Sequence, residues 1–137
     1  MRFQKTTEYA LRVMVFLWNN KGELYSANRL HKILNIPYKY LGRLMHTLAE
    51  AGFLEVVQGK MGGYQIKKQK SQIFIYEIIG AIEGLESYER CVLGFPECSS
   101  ETPCSLHNIW LHHQQNLKDM VYNVCLNDLS KVENMKY

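Results

Sequence analysis

Residues 26–67 read SANRLHKILNIPYKYLGRLMHTLAEAGFLEVVQGKMGGYQIK, and the succession of periods in this stretch decides the fold. Ser26 is a helix-capping residue type in front of Ala27 to Leu34, where Leu30, Ile33 and Leu34 share one face and Arg29, His31 and Lys32 lie off it. Asn35 and Ile36 break that helix. Pro37 then stands where proline is tolerated, at the first position of a third helix. Leu41, Leu44, Met45 and Leu48 follow at i, i+3, i+4 and i+7 as its core stripe, and Gly52 ends it. Beyond it, FLEVVQ (53–58) and YQIK (64–67) predict two strands around the turn Gly59-Lys60-Met61-Gly62-Gly63. Helix, tight turn, helix and glycine-rich hairpin is the order of a winged helix-turn-helix, so the expected class is mainly α with a small β-hairpin.

Working outward, Thr7 to Asn19 reads as a first helix, capped by Thr6 or Thr7, with Glu8 in its first turn and Asn19-Asn20-Lys21-Gly22 as its stop. Its apolar residues cover more than one face. It therefore needs two packing partners, within a larger core or across a subunit interface, and Trp18 is assigned to the interface. Downstream, Tyr76 to Ile82 predicts a short helix closed by Gly84. Residues 88–105 show no period and carry three cysteines and two prolines; a loop this long in so small a chain is functional or disordered. A last helix is predicted from Ser105 to about Leu126. Along it Leu106, Trp110, His113, Leu117, Met120 and Val124 recur at spacings of 4, 3, 4, 3 and 4, close to a heptad seam. Roughly twenty residues is longer than a domain of this size needs to cover its own core, so the seam is assigned to a homodimer. Asn127 to Tyr137 is polar and expected to fray. The chain thus divides into a winged helix-turn-helix region (1–70), a connecting helix (71–87), a cysteine-rich loop (88–105) and a long C-terminal dimerisation helix with its tail (106–137).

The 137 residues suffice for one compact domain, or a small domain with an oligomerising arm, and exclude a large multidomain enzyme. Charge is distributed unevenly. Residues 1–70 hold twelve Lys/Arg against four Glu, a net +8, whereas residues 71–137 hold four against nine acids, a net −5. The first half is thereby suited to a polyanion. Against duplex DNA, the third helix would enter the major groove with Lys39, Tyr40, Arg43 and His46, and Lys60 at the hairpin tip would approach the backbone or minor groove. Ser26 and the start of the second helix offer N–H groups to a phosphate. A dimer presents two such heads to a pseudo-palindromic operator. No phosphate-binding glycine motif, zinc-hydrolase helix or nucleophile elbow is present, which speaks against an enzyme. The longest early apolar run, Val13 to Trp18, is too short for a membrane span or signal segment, so a cytoplasmic location is expected.

In a reducing compartment the four cysteines read as ligands, redox thiols or buried filler rather than structural disulfides. Cys91, Cys98 and Cys104 fall in one irregular loop, separated by six and five residues, and His107 follows within one helical turn. Soft thiolates suit zinc, copper(I) or iron–sulfur clusters. Structural zinc favours pairs two to four residues apart, which this spacing lacks. A metal-free thiol switch stays open as well. Cys125 reads as buried filler near the seam, and His112 and His113 as surface or seam residues.

Taken together, KTTEYALRVM, IPYKYLGRLMHTLAEAGFLEVVQGKMGGYQIKK, IYEIIGAIEG and CVLGFPECSSETPCSLHNIW resemble the iron–sulfur-sensing winged-helix regulators of bacteria, the Rrf-two family with its IscR-like and NsrR-like repressors. The resemblance implies a homodimer with crossing C-terminal helices. It also implies an iron–sulfur cluster on Cys91, Cys98 and Cys104 that biases the two DNA-binding heads. In IscR-like members a histidine just after the third cysteine completes a two-iron, two-sulfur site, and His107 matches it. In NsrR-like members a carboxylate from the partner's first helix completes a four-iron, four-sulfur site, and Glu8 stands at about that position. The two-iron form with His107 is favoured. The first cysteine gap is one residue longer than usual, Gly42 replaces an acidic residue of the recognition helix, and Gln58 replaces an arginine before the wing glycine, so operator sequence does not transfer. A cluster-free thiol-redox or metabolite-responsive repressor and a zinc-stabilised repressor are the alternatives on the same fold.

Overall fold

In the computed structural model, which describes residues 2–69, 71–130 and 132–137, the chain runs α1 (Lys5–Asn19), α2 (Ala27–Leu34), α3 (Tyr38–Glu50), β1 (Leu54–Val57), β2 (Gly63–Ile66), α4 (Ile75–Ile82), one 3₁₀ turn (Glu86–Tyr88), α5 (His107–Asn123) and α6 (Leu126–Leu129). Met1, Lys70 and Lys131, which enter the region boundaries and the charge balance, lie outside the described residues. The helix-turn-helix is set by local chemistry. Ser26 Oγ accepts the Arg29 N–H at 3.2 Å and caps α2, and Asn35, in the left-handed conformation at φ 53°, ends it. Pro37 is the N-cap of α3 rather than its first residue.

The hairpin is antiparallel with Leu54 opposite Ile66 and Val57 opposite Gly63. Leu54 and Ile66 anchor its base in the core, and a bridge between Tyr25 and Tyr64, with N–H to O distances of 3.0 and 2.8 Å, docks it against the segment before α2. Crowding fixes a glycine here. A Cβ on Gly63 would lie 2.7 Å from the Tyr25 carbonyl carbon, so any other residue pushes the wing off that segment.

Ala10, Val13, Met14 and Leu17 of α1 pack with Leu30, Leu34, Leu41, Met45 and Leu48 in one main core. Each of these side chains other than Ala10 contributes roughly 1.5–3 kcal/mol by leaving water. The apolar spread around α1 has an intramolecular answer. The helix packs against α2, α3, β2, α4 and α6 of its own chain. Trp18 is 7% exposed within this core, with Lys21 Nζ 3.3 Å from its ring centroid. The start of α1 also differs from expectation. Gln4 is the N-cap, and Thr7 is buried with its hydroxyl donating to Glu83 Oε2 at 2.7 Å.

α4 lies between two clusters. Ile78 enters the main core, while Ile75 and Ile79 meet Tyr88 and Val121 in a second, smaller one. α5 spans 17 residues and ends at Asn123, short of the predicted Leu126. Val124 leaves the helix in extended conformation, accepts the Ile75 N–H at 3.0 Å and packs, partly buried, on the second cluster. The tail corrects a further expectation. Leu126 is fully buried in the main core, Tyr137 sets its ring edge-on to Phe16 at 5.2 Å, and Asn19 Nδ2 donates to its hydroxyl at 2.8 Å. Cys125 is buried, as expected, with Gln72 Nε2 3.0 Å from its sulfur. Among the described residues no helix is long and apolar enough to cross a membrane.

Candidate DNA interface and thiolate centre

Burying Leu41, Leu44, Met45 and Leu48 forces the other side of α3 outward. Lys39, Tyr40, Gly42, Arg43 and His46 form that exposed side. Tyr40 is 37% exposed, its ring 5.6 Å from that of Tyr9 with Lys39 Nζ 5.1 Å above it, so the body of the side chain is packing and its hydroxyl edge faces out. His46 Nε2 lies 3.2 Å from Glu50 Oε1. The Ser26 Oγ accepts its capping bond from Arg29, which leaves its O–H, together with the start of α2, able to meet a phosphate. Lys60 is exposed at the wing tip beside Met61, which is 88% exposed. Sequence reasoning passed over Met61 and Tyr38. Tyr38, 56% exposed at the first turn of α3 and edge-on to His31 at 6.1 Å, was signalled by its place off the i, i+3, i+4 stripe.

The second constellation is assembled by the loop after Tyr88. That residue is anchored twice: its phenol donates to Glu83 Oε1, and its carbonyl accepts Gln114 Nε2 at 3.0 Å. Glu83 also accepts the Gln4 N–H at 3.0 Å together with Thr7, so one carboxylate joins the start of α1 to the root of the loop. From this root the chain brings the Cys91, Cys98 and Cys104 sulfurs within 4.8 Å of one another. Cys91 and Cys104 are 3.6 Å apart, and Cys98 Sγ is 3.2 Å from His107 Nδ1. The three cysteines are half-buried.

Their protonation is tuned in opposite directions. At Cys91, partial burial opposes the thiolate, but backbone N–H groups of Leu93 and Phe95 and the neighbouring thiols outweigh it, and the pKa falls below the ordinary 9.0. At Cys98 the Cys104 N–H favours the thiolate, yet burial and the two adjacent sulfurs prevail and push the pKa up. Glu8 lies elsewhere in its own chain, on α1, with Arg2 Nε at 3.1 Å and Lys5 Nζ at 2.9 Å; hydrogen bonds from Lys5 and then Arg2 hold its carboxyl below the usual 4.5. Of the seam residues, Leu106, His113 and Met120 are exposed on α5, while Trp110 and Leu117 are half-buried.

This donor set fits a metal centre. A tetrahedral ion with sulfur bonds of about 2.3 Å separates its thiolates by about 3.8 Å, near the observed Cys91–Cys104 spacing. His107 Nε2 is buried without a partner among the described residues.

A basic recognition helix and wing, joined through α4 to a thiolate centre, make this a winged-helix transcription regulator and not an enzyme. Residues 3–132 match the model of one family, Rrf2, described as an iron-dependent transcriptional regulator, and the chain belongs to that family. It is 30% identical to an HTH-type transcriptional regulator of Aquifex aeolicus (strain VF5) over 135 residues, covering 97% of this chain and 94% of that one. To the HTH-type transcriptional regulator NsrR of Shouchella clausii (strain KSM-K16) it is 28% identical, with 90% of each covered. In fold it is similar to the solved structure of CymR, the global cysteine regulator of B. subtilis, with a TM-score of 0.75, 22% identity and 95% and 96% of the two chains covered.

Proposed function

We propose that this regulator acts as a homodimeric repressor at a pseudo-palindromic DNA operator, and that its grip on DNA is set by an iron–sulfur group, of the two-iron, two-sulfur kind, on Cys91, Cys98, Cys104 and His107. The observation that carries the reading is the gathering of three cysteine sulfurs within 4.8 Å of one another, with His107 Nδ1 3.2 Å from that of Cys98, at the foot of α5. When bound, such a group supplies a link that redox change, iron shortage or nitric oxide can break.

The chain's residues do the rest. Leu106, His113, Leu117 and Met120 offer α5 to a second copy, and Lys39, Arg43 and Lys60 hold phosphates or base edges. The Glu83 carboxylate ties the loop's root to the start of α1, so a change of loop shape reaches the head through Thr7 and Gln4. Such coupling is worth about 5–150-fold in DNA affinity. A second reading draws on the Cys91–Cys104 contact of 3.6 Å, which places two thiols within easy reach of a disulfide and would make the same fold a cluster-free thiol switch. A zinc-stabilised repressor is the third.

Purification without oxygen, with iron, sulfide and zinc assayed beside the visible spectrum, separates the three. Coloured protein holding iron and sulfide, lost in Cys98→Ala, is the expected result. Colourless, iron-free protein whose DNA affinity follows disulfide formation would replace the proposal with the second reading.

A further inference from the structure

Trp110 carries a buried indole N–H with no partner among the described residues, and the only other side-chain atom there in that condition is His107 Nε2. The two residues stand at i and i+3 on α5, on one helix face. Both line the same small cavity as Cys91, Cys98 and Cys104. An indole nitrogen can only donate, and a buried donor without an acceptor is costly in a folded chain. The Trp110 position in the heptad pattern suggested a seam residue, yet its polar atom is enclosed beside the thiolates.

The pair of atoms makes a chemical demand. Imidazole presents Nδ1 to Cys98 and leaves Nε2 unpaired, while indole presents a hydrogen and seeks an electron pair. A zinc ion answers an imidazole and leaves the indole only the chain's own thiolates as acceptors. A Cys91–Cys104 disulfide is a poor acceptor and brings nothing for the imidazole. A group made of both metal and sulfide answers both.

We infer that Trp110 donates its indole N–H to a sulfide of the inorganic group held by the thiolates, which makes it a positioning residue of that centre. The inference rests on the iron–sulfur reading proposed above. Hydrogen bonds to the sulfurs stabilise the reduced, more negative state and so raise the reduction potential.

The test uses the full chain purified without oxygen, as wild type, Trp110→Phe and Trp18→Phe. Phenylalanine keeps an aromatic ring at 110 and deletes the N–H. Expected are unchanged iron and sulfide per chain, a lower reduction potential, a shifted iron–sulfur Raman band and several-fold faster bleaching in air for Trp110→Phe, with Trp18→Phe like wild type. Equal potentials and equal Raman bands in wild type and Trp110→Phe would overturn the role of Trp110 while leaving the iron–sulfur reading intact. Wild-type protein lacking iron and sulfide would overturn both. Should Trp110→Phe fail to fold, wild-type protein with 15N in its indoles gives the answer: a nitrogen coupling to the reduced centre in pulsed electron resonance that survives Trp18→Phe supports the bond, and its absence removes it.

Discussion

In the head, Met14, Leu30, Leu41 and Leu48 are wholly withdrawn from water, whereas in the cysteine loop Val92, Leu93 and Phe95 are each about half exposed and the sulfurs meet one another and His107. The head is held by apolar area, the loop by polar contacts at its root and by whatever its thiolates bind. Under the proposed function, stability and sensing fall to different parts of one small chain. A sensor loop with its own deep core would not respond to a bound group, and a head without one would not hold its recognition helix still.

The largest test of this contrast compares truncations in the two regions. Leu41→Ala should destabilise the chain by about 2–5 kcal/mol in urea unfolding, because it opens a cavity in the main core. Phe95→Ala should stay within about 0.5 kcal/mol in metal-free protein. Equal losses would mean that the loop shares the head's core. Cys98→Ala sharpens the same point from the other side. It should abolish iron retention while the metal-free protein unfolds at the wild-type midpoint.

Arg43→Ala addresses the head's exposed face. Duplex affinity should fall several-fold, and the slope of log affinity against log salt should shrink by about 0.9 if Arg43 neutralises one phosphate. Iron content should not change.

The legibility of the sequence follows the same division. The head could be read because its helices are written in the 3.6 period and its stops in Asn35, Pro37 and Gly52, all of which act on near neighbours. The cysteine loop has no period, but three soft ligands and a histidine in one stretch betray its chemistry without revealing its shape. Contacts between distant polar residues left no local trace. Glu83 with Gln4 and Thr7, and Tyr137 with Phe16 and Asn19, pair positions far apart in a chain whose intervening periods say nothing of either. Trp18 and Val124 pack on the chain's own clusters, a contact that the sequence does not signal. An apolar residue on a flank of a helix reads the same whether a second copy or the chain's own α4 and α6 cover it.

Tyr88 joins the two regions, and its effect should be smaller. Burial first, then the Glu83 carboxylate, hold its phenol above the ordinary 10.0. In the unfolded chain the phenol ionises earlier, so the stability due to its neutral form is intact below about pH 10 and drains away as pH rises beyond. Tyr88→Phe should cost about 0.5–1.5 kcal/mol at neutral pH and flatten part of the alkaline slope, with Tyr25, whose pKa burial also raises, accounting for the remainder. The same variant should narrow the difference in DNA affinity between loaded and metal-free protein. An unchanged difference would show that loop shape reaches the head by another route.

The smallest expected effect lies at Glu8, whose carboxylate is already engaged by Arg2 and Lys5 at the exposed start of α1. Recruiting it as a ligand from a partner subunit would require it to leave two cations. His107 needs no such exchange, since its Nδ1 is 3.2 Å from Cys98 Sγ and its other nitrogen has no partner among the described residues. Glu8→Gln should therefore leave iron and sulfide per chain at the wild-type level, and its only trace should be the loss of a weak stabilisation that in wild type disappears as pH falls below about 4.5, the direction set by a lowered carboxyl pKa. His107→Ala should lose the iron. If Glu8→Gln lost it and His107→Ala kept it, the fourth ligand would come across the dimer, and the head's first helix would itself be part of the sensing centre.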